Sequence, residues 1–337
     1  MSSVVTKMDR LGHRETVAIA VLFVALAAFP LVANWLDSPY LIRVATRILV
    51  FAIAAVSLDL ILGFGGMVSF GHAAYVGVAA YVVAILSFHA TNDPFTVWGI
   101  SFTGTHSALI AWPAAILCSS LTALVVGAIA LRTTGVYFIM ITLAFAQMIY
   151  FLFMSLQQYG ADEGLALAQR SDLAGLSLGN RATMYYVVLT ALGLVLLVLY
   201  RLVRSKFGMV LRGCQQNERR MRAIGFKTYR YKLTAFVISG AIAGLSGVLL
   251  VNNEAFVSTA DLHWLRSADL LIMVILGGAA SLFGPLVGAL LWVCLEFVLE
   301  GLTPHWHMIL GPILILVVLY ARRGVWGWLA TERAGHA

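Results

Sequence analysis

From Ala45 to Phe88 the chain reads ATRILVFAIAAVSLDLIL, then GFGGMV, then SFGHAAYVGVAAYVVAILSF, and its only formal charges are Arg47 and Asp59. The outer two pieces each approach the roughly 20 mostly apolar residues that a helix needs to cross a bilayer. The glycine-rich piece between them suits a chain reversal, because glycine costs a helix backbone entropy. Two greasy spans joined by so short a link form a membrane hairpin, and the rest of the chain repeats the pattern.

Composition agrees. Of 337 residues, 61% are hydrophobic and 11% charged, against about 45–50% and about 25% in soluble domains. With a mean hydropathy of +0.93, one globule cannot hide this much apolar surface from water. A soluble enzyme, a nucleic-acid-binding module and a disordered scaffold are therefore excluded, and an all-α polytopic membrane protein is expected.

Ten spans of suitable length follow, near 17–36, 45–62, 69–88, 108–131, 136–156, 182–203, 232–251, 267–283, 285–300 and 307–321. The last three are short, which leaves room for a broken or re-entrant segment. An inside N-terminus puts 17 of the 22 Lys and Arg on the cytoplasmic side and five outside: Arg43, Arg47, Arg170, Arg181 and Arg266. Short basic loops stay in the cytoplasm, so both ends are expected there, in an inner membrane. The basic N-terminus shows no small-residue cleavage site before its apolar run, so that run reads as a retained helix. The expected organisation is a tail at 1–16, one transmembrane domain at 17–321 with a cytoplasmic loop at 204–231, and a tail at 322–337.

Glycine clusters at 63–77 and 277–288 invite two readings. Small residues let helices pack closely, as Gly240-x-x-x-Gly244 and Gly284-x-x-x-Gly288 allow. Gly-Gly pairs also break helices, and the freed backbone then needs protein or a water-filled cavity beside it. As units, the clusters favour broken helices near 63–77 and 277–288. Each holds a Gly-Gly pair with a serine three positions on, Ser69 and Ser281, the outline of a parallel repeat.

No phosphate-binding Gly-x-x-x-x-Gly-Lys loop, nucleophile elbow or metal-ligand cluster occurs. Cys118, Cys214 and Cys294 are scattered, supporting neither disulfide nor zinc, and the spacing of His305 and His307 reads as a solvated loop pair. No metal or cofactor is expected. Ionisable groups within spans are functional candidates because burial is costly. Asp59 with His72 is the more interesting set, either as a proton site or as a buried neutral histidine with one hydrogen bond. Glu296, Glu300 and Asp269 read as water-facing ends.

The loop at 204–231 contains Asn217-Glu218-Arg219-Arg220-Met221-Arg222-Ala223-Ile224-Gly225. Asn217 can cap a short helix, Glu218 meets its positive end, and Gly225 can close it. Met221 and Ile224 would share one face, with Arg219 and Arg222 on the other. Such a helix suits docking of another protein, or equally a solvated basic loop that fixes topology.

Four ordered motifs give a family resemblance covering about residues 45–320. Gly66-Met-Val-Ser69-Phe-Gly71-His72-Ala-Ala-Tyr75 resembles the signature of branched-chain amino acid ABC transporter permeases. Arg132 to Gln147, including Thr142, is similar to the larger, LivM type. So are Asn217 to Gly225 with the following Tyr231 to Ala241, and Leu271 to Pro285 with Gly277, Gly278, Ser281 and Gly284. The resemblance implies a second homologous permease, two ATPase subunits that bind the coupling loops (here the 217–225 helix), and a periplasmic binding protein that delivers leucine, isoleucine or valine. For such a substrate the passage should be apolar with a few polar groups for the zwitterion, and Ser69, His72, Tyr75, Thr142, Gln147 and Ser281, with the glycines beside them, are the expected substrate pathway. The family-wide Glu-Ala-Ala-x-x-x-Gly loop keeps only Gly225 here, and Asp59 stands where many relatives carry a neutral amide. Urea and short-chain amide permeases are cousins, and a proton-coupled transporter is the rival from another class.

Overall fold

The computed structural model describes residues 13–35, 39–92, 95–97, 100–102, 104–167, 169–173, 176–302, 305, 308–312 and 324–326. Ten helices are named here: α1 (His13–Trp35), α2 (Pro39–Leu62), α3 (His72–Thr91), α4 (Ala108–Ala130), α5 (Val136–Ser155), α6 (Arg181–Arg204), α7 (Lys206–Ala223), α8 (Thr228–Glu254), α9 (Trp264–Gly277) and α10 (Gly284–Leu302). Among the described residues seven are long and apolar enough to cross a membrane: α2 to α6, α8 and α10. The ten expected spans are thus not all matched. The apolar part of α1 shortens to Ala20–Leu31. The expected span 267–283 is helical only to Gly277, where Gly278 turns to φ +111° and the backbone leaves the helix. Of 307–321, residues 308–312 are helical and 313–320 lie outside the described residues, as do nearly all of the expected tails.

The all-α expectation needs one correction. Three two-stranded antiparallel pairs occur: β1 (Phe95–Val97) with β2 (Ile100–Phe102), β3 (Leu165–Ala166) with β6 (Phe256–Val257), and β4 (Asp172–Leu173) with β5 (Leu176–Ser177). All lie in the loops expected outside, where irregular backbone must find partners for its N–H and C=O groups. The β3–β6 pair joins two loops far apart in sequence. Asn252 reinforces it by accepting a hydrogen bond from the Ser171 amide at 2.9 Å. A Ser258–Asp261 capping box shapes the turn before α9. There burial raises the Asp261 carboxyl, against the pull of Arg266 and the Ser258 amide.

These loops gather at one end of the bundle, and the helix breaks, the 131–135 turn and α7 at the other. The second we call the basic end, since ten Lys and Arg fall between Arg201 and Lys232. Arg201 and Arg204 occupy the last turn of α6, where cations meet the negative end of the helix dipole.

The core forms around α2 and α8. Leu49, Ile53, Leu58 and Ile61 of α2 are fully enclosed. On α8 a file of small residues admits its neighbours. A Cβ on Gly240 would come within 2.3 Å of the Ala123 Cβ, one on Gly244 within 2.6 Å of the Ser119 Cβ, and one on Gly247 within 1.9 Å of the Val76 carbonyl oxygen. Close packing is therefore the role of these glycines. The Ser119 hydroxyl shares its proton between the Tyr75 and Gly240 carbonyls, each at 2.9 Å, so one side chain pins α3, α4 and α8 together. Outward faces of α4 and α5 expose Leu117, Leu121, Met140 and Phe151, the surface that a lipid solvent accepts.

Candidate functional site

The two glycine clusters become two interruptions that touch. After α2 the chain leaves the helix at Gly63, passes Gly66 at φ +67°, and restarts at His72. After α9 it turns through Gly278 and Ala280, at φ +111° and +61°, and restarts at Gly284. Ser281 stabilises this restart, donating to the Gly278 carbonyl at 2.6 Å and accepting from the Gly284 amide at 3.1 Å. Gly277 is obligatory, since a Cβ there would lie 1.9 Å from the Gly284 carbonyl oxygen.

Asp59 links the two breaks. Its Oδ1 accepts a hydrogen bond from the Ala280 amide at 2.8 Å, across 221 sequence positions. Its Oδ2 is buried without a hydrogen-bond partner. The Asp59 side chain therefore points at the second break and not at His72. His72 instead meets Ser57, with Nε2 and Oγ 2.7 Å apart, while Ser57 also donates to the Ala54 carbonyl and Ser239 donates to the Ser57 carbonyl at 2.5 Å. If the single Ser57 proton goes to Ala54, His72 carries its own proton on Nε2, leaving the buried Nδ1 bare. Tyr75 is buried one turn on, edge-on to both His72 and Phe236, its hydroxyl without a partner.

Other pathway candidates gather at the start of α3. The buried Ser69 hydroxyl accepts from the Gly71 amide at 3.2 Å. Thr142 on α5 accepts from the Phe70 amide at 3.3 Å, and Gly71 lies against the Thr142 backbone. Gln147 sits further along α5, half-buried, its amide nitrogen unpartnered. Sequence reasoning missed Ser57, Ser239 and Ser267. The Ser267 hydroxyl accepts from the Ala73 amide at 2.9 Å and so satisfies an otherwise orphaned donor in the first turn of α3. Their advance signal was a hydroxyl inside an apolar run, and for Ser239 also its place in the Tyr231 to Ala241 motif.

At the basic end, α7 is two helices joined at a kink, with Asn217 at φ −159° and ψ 95°. The Asn217 carboxamide oxygen accepts from the Arg220 amide at 3.0 Å, so it caps the second piece as expected. That piece closes with Gly225 at φ +93°, its amide on the Arg222 carbonyl and the Phe226 amide on the Met221 carbonyl, the glycine-terminated helix end. Glu218 fastens it to α8: one carboxylate oxygen accepts from Arg222 and from the Thr228 hydroxyl, the other from Lys232. Burial pushes the Glu218 carboxyl up, but the Lys232 and Arg222 bonds outweigh it and hold the group below its ordinary range. Ile224 and Arg219 are exposed, whereas Met221 folds back onto Gly213. Between this helix and the first break lies a cavity of about 320 Å³, lined by Gly66, Thr133, Gln215, Asn217, Glu218 and Lys232 among others.

One family profile covers most of the chain, both helix breaks and the capped surface helix included. The "branched-chain amino acid transport system / permease component" family matches residues 40–319. The chain belongs to this family. It is thus a permease component of an ABC transport system, not an enzyme. LivM of Escherichia coli K12, a high-affinity branched-chain amino acid transport system permease protein, is 25% identical over 92% of this chain and 76% of its own length. A probable LivM of Methanocaldococcus jannaschii is 27% identical over 82% and 90%. The probable LivH permease of that archaeon is 27% identical over 41% of this chain and 43% of its own. No solved structure matches.

Proposed function

We propose that this permease is the moving gate of an ATP-driven importer in a bacterial inner membrane, carrying leucine, isoleucine or valine handed over by a periplasmic binding protein. In this reading the basic end faces the cytoplasm, with both chain ends. A second, homologous permease completes the pathway, and two ATPase subunits grip the coupling loops of the pair, of which the 217–225 helix is this chain's. The observation that carries it is the construction of that helix. It is broken from α7 at Asn217, capped, closed by Gly225 and clasped through Glu218 to the foot of α8, the longest helix described. A segment so separated can be pushed as a unit, and α8 extends the push through the bundle. Polar groups near the breaks, Ser69, His72, Tyr75, Thr142, Gln147 and Ser281, would serve a zwitterion, and apolar neighbours its branched side chain.

The test is uptake by the whole transporter in liposomes. ATP should be required, and Gly225→Trp should abolish uptake while the binding protein still takes its ligand. Undiminished uptake by that variant refutes the coupling role. Uptake driven by a proton gradient without ATP would decide for a secondary transporter, a reading that the unpaired Oδ2 of Asp59 keeps alive. Uptake of urea or a short amide in place of leucine would reassign the substrate and leave the mechanism.

A further inference from the structure

Resting on the coupling role of the 217–225 helix, a further connection can be traced through side chains that no family motif assigns. Gln215 lies two residues before the Asn217 kink, on the rim of α7. Its amide nitrogen donates to the Gly63 carbonyl at 2.8 Å, and its Cγ rests where Gly66 leaves room, since a Cβ on Gly66 would approach it to 2.9 Å. The Gly63 amide in turn donates to the Asp59 carbonyl at 2.7 Å. Asp59 Oδ1 then accepts from Ala280, and Gly63 is so close to that contact that a Cβ would lie 2.2 Å from the Ala280 nitrogen.

We propose that Gln215 and Asp59 are positioning residues of a strap, two side-chain hydrogen bonds joined by the backbone bond from Gly63 to Asp59, that makes the α7 kink, the first helix break and the second helix break move together. Each link is a directional hydrogen bond, whereas the surrounding apolar contacts of α2 with α9 and α10 can slide. The far end of the strap is Ala280, a non-glycine residue in the left-handed region, where strained backbone persists only when its surroundings hold it. The carboxylate is costly at such a site, yet the bond it makes needs only an acceptor oxygen. This sets the strap apart from an ion or proton site, which would need the ionisable group itself.

The experiment measures uptake and ATP hydrolysis on the same proteoliposomes, prepared with the complete transporter. Asp59→Ala should lower the uptake obtained per ATP by about tenfold, the weight of one buried hydrogen bond. Hydrolysis stimulated by the loaded binding protein, performed on the partner chains, should continue and so report an assembled complex. Asp59→Asn keeps an oxygen facing Ala280 and should rescue coupling. Gln215→Glu keeps the shape, loses the donor and should uncouple several-fold in the same sense. Because Gln215 is on the exposed rim, this variant tests the strap even if Asp59→Ala fails to assemble. An unchanged ratio of uptake to hydrolysis in Gln215→Glu overturns the proposal, as does an Asp59→Asn variant as uncoupled as Asp59→Ala. If the wild-type transporter shows no ATP-driven uptake, the proposed function falls first, and the strap with it.

Discussion

Adding one methyl group at Gly247 is the sharpest test of the helix arrangement. Alanine is the better helix former by about 1 kcal/mol, so on propensity alone Gly247→Ala should stabilise α8. The structure says the opposite. The new Cβ would lie 1.9 Å from the Val76 carbonyl oxygen, and a tolerable carbon–oxygen approach is about 3.3 Å, so α3 and α8 must part by about 1.4 Å there. Gaps of even 0.5–1 Å forfeit roughly a quarter to a half of the dispersion attraction across them. The same movement stretches the shared Ser119 hydrogen bonds to Tyr75 and Gly240. Because the obstacle is backbone, overpacking should cost about 3 kcal/mol, the upper part of its usual range, for a net loss of about 2 kcal/mol. Gly193→Ala is the control. It too lies inside a long helix, α6, but meets nothing nearer than the Phe23 ring at 4.0 Å, so it should gain about 0.5–1 kcal/mol. Reversible unfolding of the two variants in mixed detergent micelles should separate them by about 3 kcal/mol. Equal stabilities would mean that α3 and α8 do not meet at Gly247.

Three further outcomes are expected. Asn217→Ala should cost the second half of α7 about 1 kcal/mol, seen as roughly fivefold faster amide hydrogen exchange between residues 218 and 223, with Asn217→Asp close to wild type. Glu218 has a depressed pKa when folded, so its contribution is present above the ordinary glutamate range near 4.3 and is lost as pH falls through its lower folded value. Glu218→Gln should therefore be the less stable protein at neutral pH, by about 1.5 kcal/mol once its partial exposure is allowed for. Melting profiles of the two should converge in acid, and a constant gap down to pH 3 would refute the clasp. Asn252→Ala strands the Ser171 amide and should open the 165–173 segment to limited proteolysis before any loss of the helical signal. Unchanged cleavage would show that the β3–β6 pair alone holds that loop.

Much of this architecture could be read from residue order, because lipid leaves few options for an apolar run of 18 or more residues. The spans at 69–88, 108–131, 136–156 and 182–203 lie within three residues of α3, α4, α5 and α6. The caps at Asn217 and Gly225 were legible for a similar reason, since each satisfies a purely local rule of backbone geometry. What escaped was long-range. Proximity in sequence pairs Asp59 with His72, yet its hydrogen-bond partner is Ala280, and nothing local announces a hydrogen bond spanning 221 positions. Met221 belonged to an exposed face on a helical wheel, but the kink at Asn217 turns it back onto Gly213. The short strand pairs stayed hidden because two-residue pairings such as β3–β6 carry no periodicity of their own.

The file of glycines along α8 has a mechanical corollary. Where three helices share a hydroxyl and their backbones nearly touch, no slack remains for them to rotate against one another. Any displacement of α8 must therefore carry α3 and α4 with it as one body.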